Sequence, residues 1–278
     1  MDVTSGTGGR GPSVTSRVLA ILAAFDVRHP TLTLSDIARR AGLPLATAHR
    51  LVGELASWGA LTRDPDGGYT VGARLWEIGL LSPLHSRLRE VAVPFLTDLA
   101  GATAENVHLA VRDGDEALYV EKVTGHRAVP IISRVGGRLP LHATGVGKAL
   151  LAFQDQAFVA SFLQRPLRRC TPFTVTEPGR LARELALIRQ RGWAQTREEM
   201  TVGSCSVAVP VSDGGGPAVA AVGIVVHSLG ANLKGLVPAL RAAADGLGAR
   251  LVASGDDPYP SLRHDLPVRR RPTRRSSD

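Results

Sequence analysis

The sequence predicts an α+β protein in two parts, a small N-terminal module of helices with a β-hairpin and a larger domain of strands and helices, joined by a helical segment. Three observations carry this. Apolar residues recur at helical spacing through residues 14–58 and give way to two short strand-like runs around an Asp-Gly turn. Further strand-like runs cluster over 106–123 and 193–226, with helical patterns between and after them. Strands that arrive in runs, without strict strand–helix alternation, favour an α+β sheet domain with helices packed to one side over a βαβ dinucleotide fold. The expected boundaries are a disordered N-terminus at 1–13, the small module at 14–72, a linker at 73–88, the large domain at 89–254 and a disordered basic tail at 255–278.

Val14, Val18, Ile21, Leu22 and Phe25 lie on one face of a first amphipathic helix. Ile37, Ala38 and Ala41 share a face of a second, short helix that Gly42 can end with a positive φ. Leu43-Pro44 turns the chain, and Pro44 suits the first turn of a third helix carrying Ala48, Leu51, Val52 and Leu55 at helical spacing. Ala38 is small enough for the two helices to cross closely. Residues 60–71, ALTRDPDGGYTV, then form a hairpin. This order describes a winged helix-turn-helix, which places the chain on DNA. The bland alternative, a helical hairpin with an ordinary solvated face, accounts for neither the first helix nor the wing.

Leu45, Ala46, Thr47, His49, Arg50 and Gly53 lie off the apolar stripe of the third helix, near its N-terminus, where such proteins meet base edges and phosphates. Arg50 can pair with a guanine edge or a phosphate, and Thr47 with a phosphate or a thymine methyl. The candidate DNA-binding residues are Arg39, Thr47, His49, Arg50, Arg63 and Tyr69. Beyond the wing, Leu75, Trp76, Ile78 and Leu80 continue a helical pattern that Pro83 breaks. Trp76 and Leu80 have no partner in so small a module, so they pack on another subunit or on the chain's own second domain.

In the larger domain, Leu84, Leu88, Val91, Phe95, Leu96 and Leu99 mark a helix. Asn106–Val111 and Ala117–Val123 flank a hairpin turn at 113–116, and Val129–Val135 reads as a third strand. Helices follow over Gly145–Phe153, Gln156–Leu163 and Leu181–Arg191. Trp193–Arg197, Ser206–Val211 and Ala218–Val226 read as strands, the last so apolar that it belongs in the centre of the sheet. Leu233–Ala253 closes the domain as one amphipathic helix.

At 278 residues the chain has room for two domains, and no apolar run reaches membrane-spanning length. The N-terminus lacks the apolar core of a signal peptide, and two cysteines, Cys170 and Cys205, fit a reducing cytoplasm. The net charge of +8 is a weak argument for DNA, because residues 14–72 hold six Lys/Arg against five acids. Ser204, Cys205 and Ser206 lack a nucleophile-elbow context, and His108, His126, His142 and His227 lack metal-ligand spacing. Lys148, followed by Ala149, does not complete a phosphate loop. Glu198 and Glu199 are expected at a strand end, making surface or inter-subunit contacts. No catalytic site, metal or cofactor is therefore expected.

Three segments resemble the IclR-type bacterial transcriptional regulators: residues 46–51 (ATAHRL) with the wing's GYTVG, residues 137–152 (GRLPLHATGVGKALLA), and RGWA at 191–194 followed by Glu198-Glu199 and Gly203 to Val211. The resemblance covers roughly residues 14–254. It implies an N-terminal DNA-binding domain, a C-terminal GAF-like domain for a small-molecule effector, and a homodimer or dimer of dimers on operator DNA in the bacterial cytoplasm. It also implies that effectors meet backbone amides at Gly145 and Val146, with Thr196 and Ser206 opposite and Ile131 as apolar wall. The residues agree, since Thr144-Gly145-Val146-Gly147 opens a helix whose free N–H groups suit a carboxylate or phosphate. Two departures matter. Ser206 stands where the family often has cysteine, with Cys205 one residue earlier and facing the other way. Gly223 and Val225 stand where two serines are common, which favours an organic acid of aromatic or branched apolar character. A structural DNA-binding protein whose second domain only oligomerises, and a metabolic enzyme with an accessory DNA-binding module, are the alternatives.

Overall fold

The computed structural model describes residues 12–82, 84–126, 132–212, 217–227 and 231–253. The chain divides into two compact units between Ser82 and Pro83. In the first, α1 (Val14–Ala23) opens on Ser13, whose hydroxyl accepts the Ser16 N–H at 3.1 Å, so the expected disordered N-terminus ends in a helix cap. The expectations for residues 1–11 and 254–278 fall outside the described residues. Thr33 caps α2 (Leu34–Ala41), and Gly42 ends it at φ +66°, where a side chain would be strained. The Leu43 N–H returns to Ala38 O at 2.9 Å, and α3 (Leu45–Trp58) begins directly after Pro44. Ile21, Ile37, Leu51 and Val52 are fully buried where the three helices meet.

Strands β1 (Leu61–Arg63) and β2 (Tyr69–Val71) form the wing, with Leu61 opposite Val71 and Leu32 bridging to Tyr69. The return from the wing needs Gly72, because a Cβ there would lie 2.2 Å from Gly59 O. Helix α4 (Ala73–Leu80) follows and buries none of its residues.

The second unit is built on a six-stranded antiparallel sheet: β3 (Asn106–Asp113), β4 (Glu116–Val123), β5 (Arg138–Pro140), β6 (Ala194–Arg197), β7 (Cys205–Val211) and β8 (Ala220–Val226), in the order β5-β4-β3-β8-β7-β6. The nearly all-apolar β8 is central. Helices cover both faces rather than one, because near-continuous apolar strands have two faces to bury. Val107, Leu109, Val207, Val209, Val222 and Ile224 pack under α5 (Glu90–Thr103) and α9 (Val237–Ala253). On the other face the strands carry Ala110, Ala117, Ala194, Ala208 and Ala221, small enough for α6 (Gly145–Ala152) to lie close, backed by α7 (Gln156–Leu163) and α8 (Pro178–Arg191).

Two elements differ from expectation. Of the strand expected over Val129–Val135, residues 129–131 lie outside the described set and Ile132–Val135 is irregular. The edge strand comes later, at Arg138–Pro140, after a turn in which Gly136 takes φ +76°. The last helix is preceded by a separate 3-10 turn, Leu233–Leu236, capped by Asn232. Pro238, which lacks an N–H, is tolerated in the first turn of α9 that follows. Among the described residues no helix is long and apolar enough to cross a membrane.

Candidate functional site

Where the N-terminus of α6 meets the small-residue face of the sheet, a pocket opens between them. Thr144, Gly145, Val146, Thr196, Ser206, Gly223 and Val225 all line it. Ile131 lies outside the described residues; Ile132 beside it reaches the pocket. Strand register produces this gathering: Thr196 pairs with Ser206 and Ser206 with Val225, so the three form one row across β6, β7 and β8. Thr196 Oγ1 and Ser206 Oγ are 2.6 Å apart, and the Gly145 N–H donates to Ser206 Oγ at 3.2 Å. Thr144 caps α6, its hydroxyl accepting the Gly147 N–H at 3.1 Å. A Cβ on Gly223 would lie 2.7 Å from Val146 Cγ1, so this glycine makes room for the helix rather than presenting a group to a ligand. Cys205 borders the pocket, but its side chain belongs to the core on the opposite face, as alternation requires.

A second polar group borders the same pocket from β3 and β4. His108 and Tyr119 meet edge to face at 5.3 Å, and His108 Nε2 is 2.9 Å from Ser133 Oγ. Burial drives the His108 pKa down to about 3, with the Lys122 charge acting in the same direction, so the imidazole is neutral near pH 7. Burial pushes the Tyr119 phenol well above its ordinary range, against a hydrogen bond with Thr144, so it too stays neutral. Reading His108 as one of several scattered histidines missed it. The signal was alternation along β3, which places His108 and Ala110 on one face, together with the β3–β8 pairing that aligns His108 with Gly223.

The pocket's helix is anchored from behind. Lys148 is fully buried, and its Nζ donates to both carboxylate oxygens of Glu199, at 2.7 and 2.8 Å, and of Glu184, at 2.8 and 2.9 Å. Burial raises the Glu199 pKa, opposed by Lys148 and reinforced by the Glu184 charge. The expectation of a surface Glu199 is thereby corrected: its carboxylate turns inward to the lysine of the α6 motif. The neighbouring Glu198 adopts φ +55° and accepts the Gly203 N–H at 2.7 Å, shaping the β6–β7 connection that brings Met200, Thr201 and Ser204 to the pocket.

In the first unit, His49, Arg50 and Arg39 are exposed and Thr47 is partly so, with Ala48, Leu51 and Val52 turned into the core. Both arginines have intrahelical partners: Arg39 with Asp36 at 2.6 Å, and Arg50 with Glu54. Tyr69 departs from expectation. It is 9% exposed and part of the core, because its strand position faces inward and its backbone pairs with Leu32. The Arg63 guanidinium lies 5.8 Å from its ring centre.

Comparison with known proteins matches both units. The IclR helix-turn-helix domain covers residues 14–65, and the bacterial transcriptional regulator IclR C-terminal domain covers residues 83–248. The transcriptional regulator XynR of Escherichia coli K12 is 36% identical over 197 residues, covering 70% of this chain and 78% of that protein. The transcriptional repressor AllR of the same strain is 31% identical over 218 residues, covering 77% and 80%. Among solved structures, an IclR homolog from Microbacterium hydrocarbonoxydans, complexed with 4-hydroxybenzoate, superposes with a TM-score of 0.82 at 37% identity, covering 87% of this chain and all of that one. With its DNA-binding and C-terminal domains both matched, the chain belongs to the IclR family of bacterial transcriptional regulators.

Proposed function

We propose that this regulator's affinity for operator DNA is set by an organic acid of aromatic or branched apolar character, held between the N-terminus of α6 and the Thr196–Ser206 pair. The observation that carries this is the meeting of the Gly145 N–H, Ser206 Oγ and Thr196 Oγ1 at one end of a pocket walled by Val146, Val225, Ile132 and Leu139. N–H groups at a helix start, with the positive end of its dipole, suit a carboxylate. The apolar walls suit a ring or branched chain, and the relative complexed with 4-hydroxybenzoate accords with that preference. Arg39, Thr47, His49, Arg50 and Arg63 meet the operator, and the protein works as a homodimer or dimer of dimers in the bacterial cytoplasm. Occupation of the pocket biases the arrangement of two recognition helices and so the fit to two half-sites.

Calorimetric titration of the full-length protein with benzoates and with glyoxylate, paired with gel shifts on the DNA flanking its own gene, tests the reading. Benzoates should bind and change the DNA affinity. Tight binding of glyoxylate with none of benzoates would overturn the ligand class, and binding without any change on DNA would overturn the regulatory role.

A further inference from the structure

We propose that His108 and Ser133 are specificity-determining residues that read an uncharged hydroxyl at the end of the ligand opposite its carboxylate. This rests on the reading of the pocket just given and adds a second recognition pole to it. The geometry comes from the sheet. His108 pairs with Gly223, and Gly223 with Ala208, so the three lie in one row across β3, β8 and β7. The backbone at Gly145 stands over the β7 end of that row, where a Cβ would be 3.6 Å from Ala208 Cβ and 2.6 Å from Ser206 Oγ. The acid pole and His108 are thus two strand spacings apart at the backbone, roughly 10 Å. Both border the same pocket, with Val146 and Val225 between them. That is the layout for a rigid ring carrying polar groups at opposite ends.

The chemistry of the pair selects the group. His108 is 2% exposed and Ser133 8%, and their 2.9 Å hydrogen bond occupies one ring nitrogen. A neutral imidazole joined to a serine hydroxyl can accept from a ligand O–H or donate to its oxygen. It offers no positive charge for a second carboxylate, since burial and Lys122 both oppose protonation. A ligand with hydrogen or methyl in place of the hydroxyl fills the same space but forgoes that hydrogen bond, leaving His108 and Ser133 paired only with each other.

The test is calorimetric titration of the full-length protein with benzoate, 4-methylbenzoate and 4-hydroxybenzoate, repeated on His108→Leu and Ser133→Ala. The wild type should prefer 4-hydroxybenzoate over 4-methylbenzoate by about tenfold or more. In both variants that ratio should fall toward one, which loss of folding or general loosening of the pocket would not produce. Ser133→Ala removes a single oxygen and keeps the test available should His108→Leu fail to fold. Equal wild-type affinities for the methyl and hydroxyl compounds, or a ratio that survives in both variants, would overturn the role of the pair while leaving the acid pole standing. Failure of the wild type to bind any of the three acids would remove the acid pole, and this inference with it.

Discussion

Arg50 and Glu54 face each other across one turn of α3 with side chains 58% and 60% exposed. An exposed pair at this spacing is worth only about 0.3–0.5 kcal/mol, so a phosphate or guanine edge can displace the carboxylate at small cost. Arg50→Ala should therefore weaken operator binding by roughly 5- to 100-fold, and Glu54→Ala should leave it unchanged or tighten it. Gel shifts at one fixed salt concentration decide this, and an Arg50→Ala protein with wild-type affinity would remove Arg50 from the interface. His108 supports a second prediction, on stability. Its pKa is about 3 in the folded chain against 6.5 for an ordinary histidine, so between those values the unfolded chain binds more protons. Its contribution is intact above about pH 6.5 and is lost as pH falls toward 3, by up to about 1.4 kcal/mol per pH unit. His142, also lowered chiefly by burial, acts with the same sign. Melting temperatures between pH 7 and 5 should fall for the wild type and fall less steeply for His108→Leu; parallel slopes would contradict the assignment.

Helix α6 shows how an element is held where its N-terminus can serve. Lys148 ties it to Glu184 on α8 and to Glu199 beyond β6, with every group at least three-quarters buried at the side chain. Removing one partner of such a cluster leaves an uncompensated buried charge, which costs about 3–5 kcal/mol. Lys148→Met should lose stability on that scale in urea melts, and adding Glu199→Gln should restore part of it, because the two changes are coupled. Additive losses would mean that the ion pair is not what anchors the helix. The same element marks how far the sequence could be read. The start of α6 at Gly145, the turn at Gly42 and the row Thr196–Ser206 are legible because caps, glycines and strand alternation act over a few residues. Glu199 meets Lys148 across 51 residues and Ser133 meets His108 across 25, and these contacts follow from strand order, which no local pattern encodes. The burial of Tyr69 was illegible for the same reason: its inward face depends on a bridge to Leu32, well before it in the chain.

For the whole molecule the question is how a module with a charge surplus of one holds DNA. Two modules on one operator double the phosphate contacts, and helix-turn-helix half-sites lie one turn of DNA apart, about 34 Å. A surface that could join two chains is present on α4 and its C-terminal cap, where Trp76, Ile78 and Leu81 are 65%, 48% and 79% exposed. Apolar side chains this large and this exposed are candidates for burial against a partner. If a second chain covers them, Trp76→Arg should shift the protein to a smaller species in light scattering. It should also lower affinity for the full operator by roughly tenfold or more while sparing a single half-site, since a lost hot-spot aromatic is worth about 2 kcal/mol or more. Arginine suits this test because an added positive charge favours DNA, so a loss of binding cannot be put down to repulsion from the phosphates. An unchanged mass with unchanged operator affinity would assign the Trp76 surface to the chain's own second unit, and the pairing of recognition helices would then have to rest on other residues.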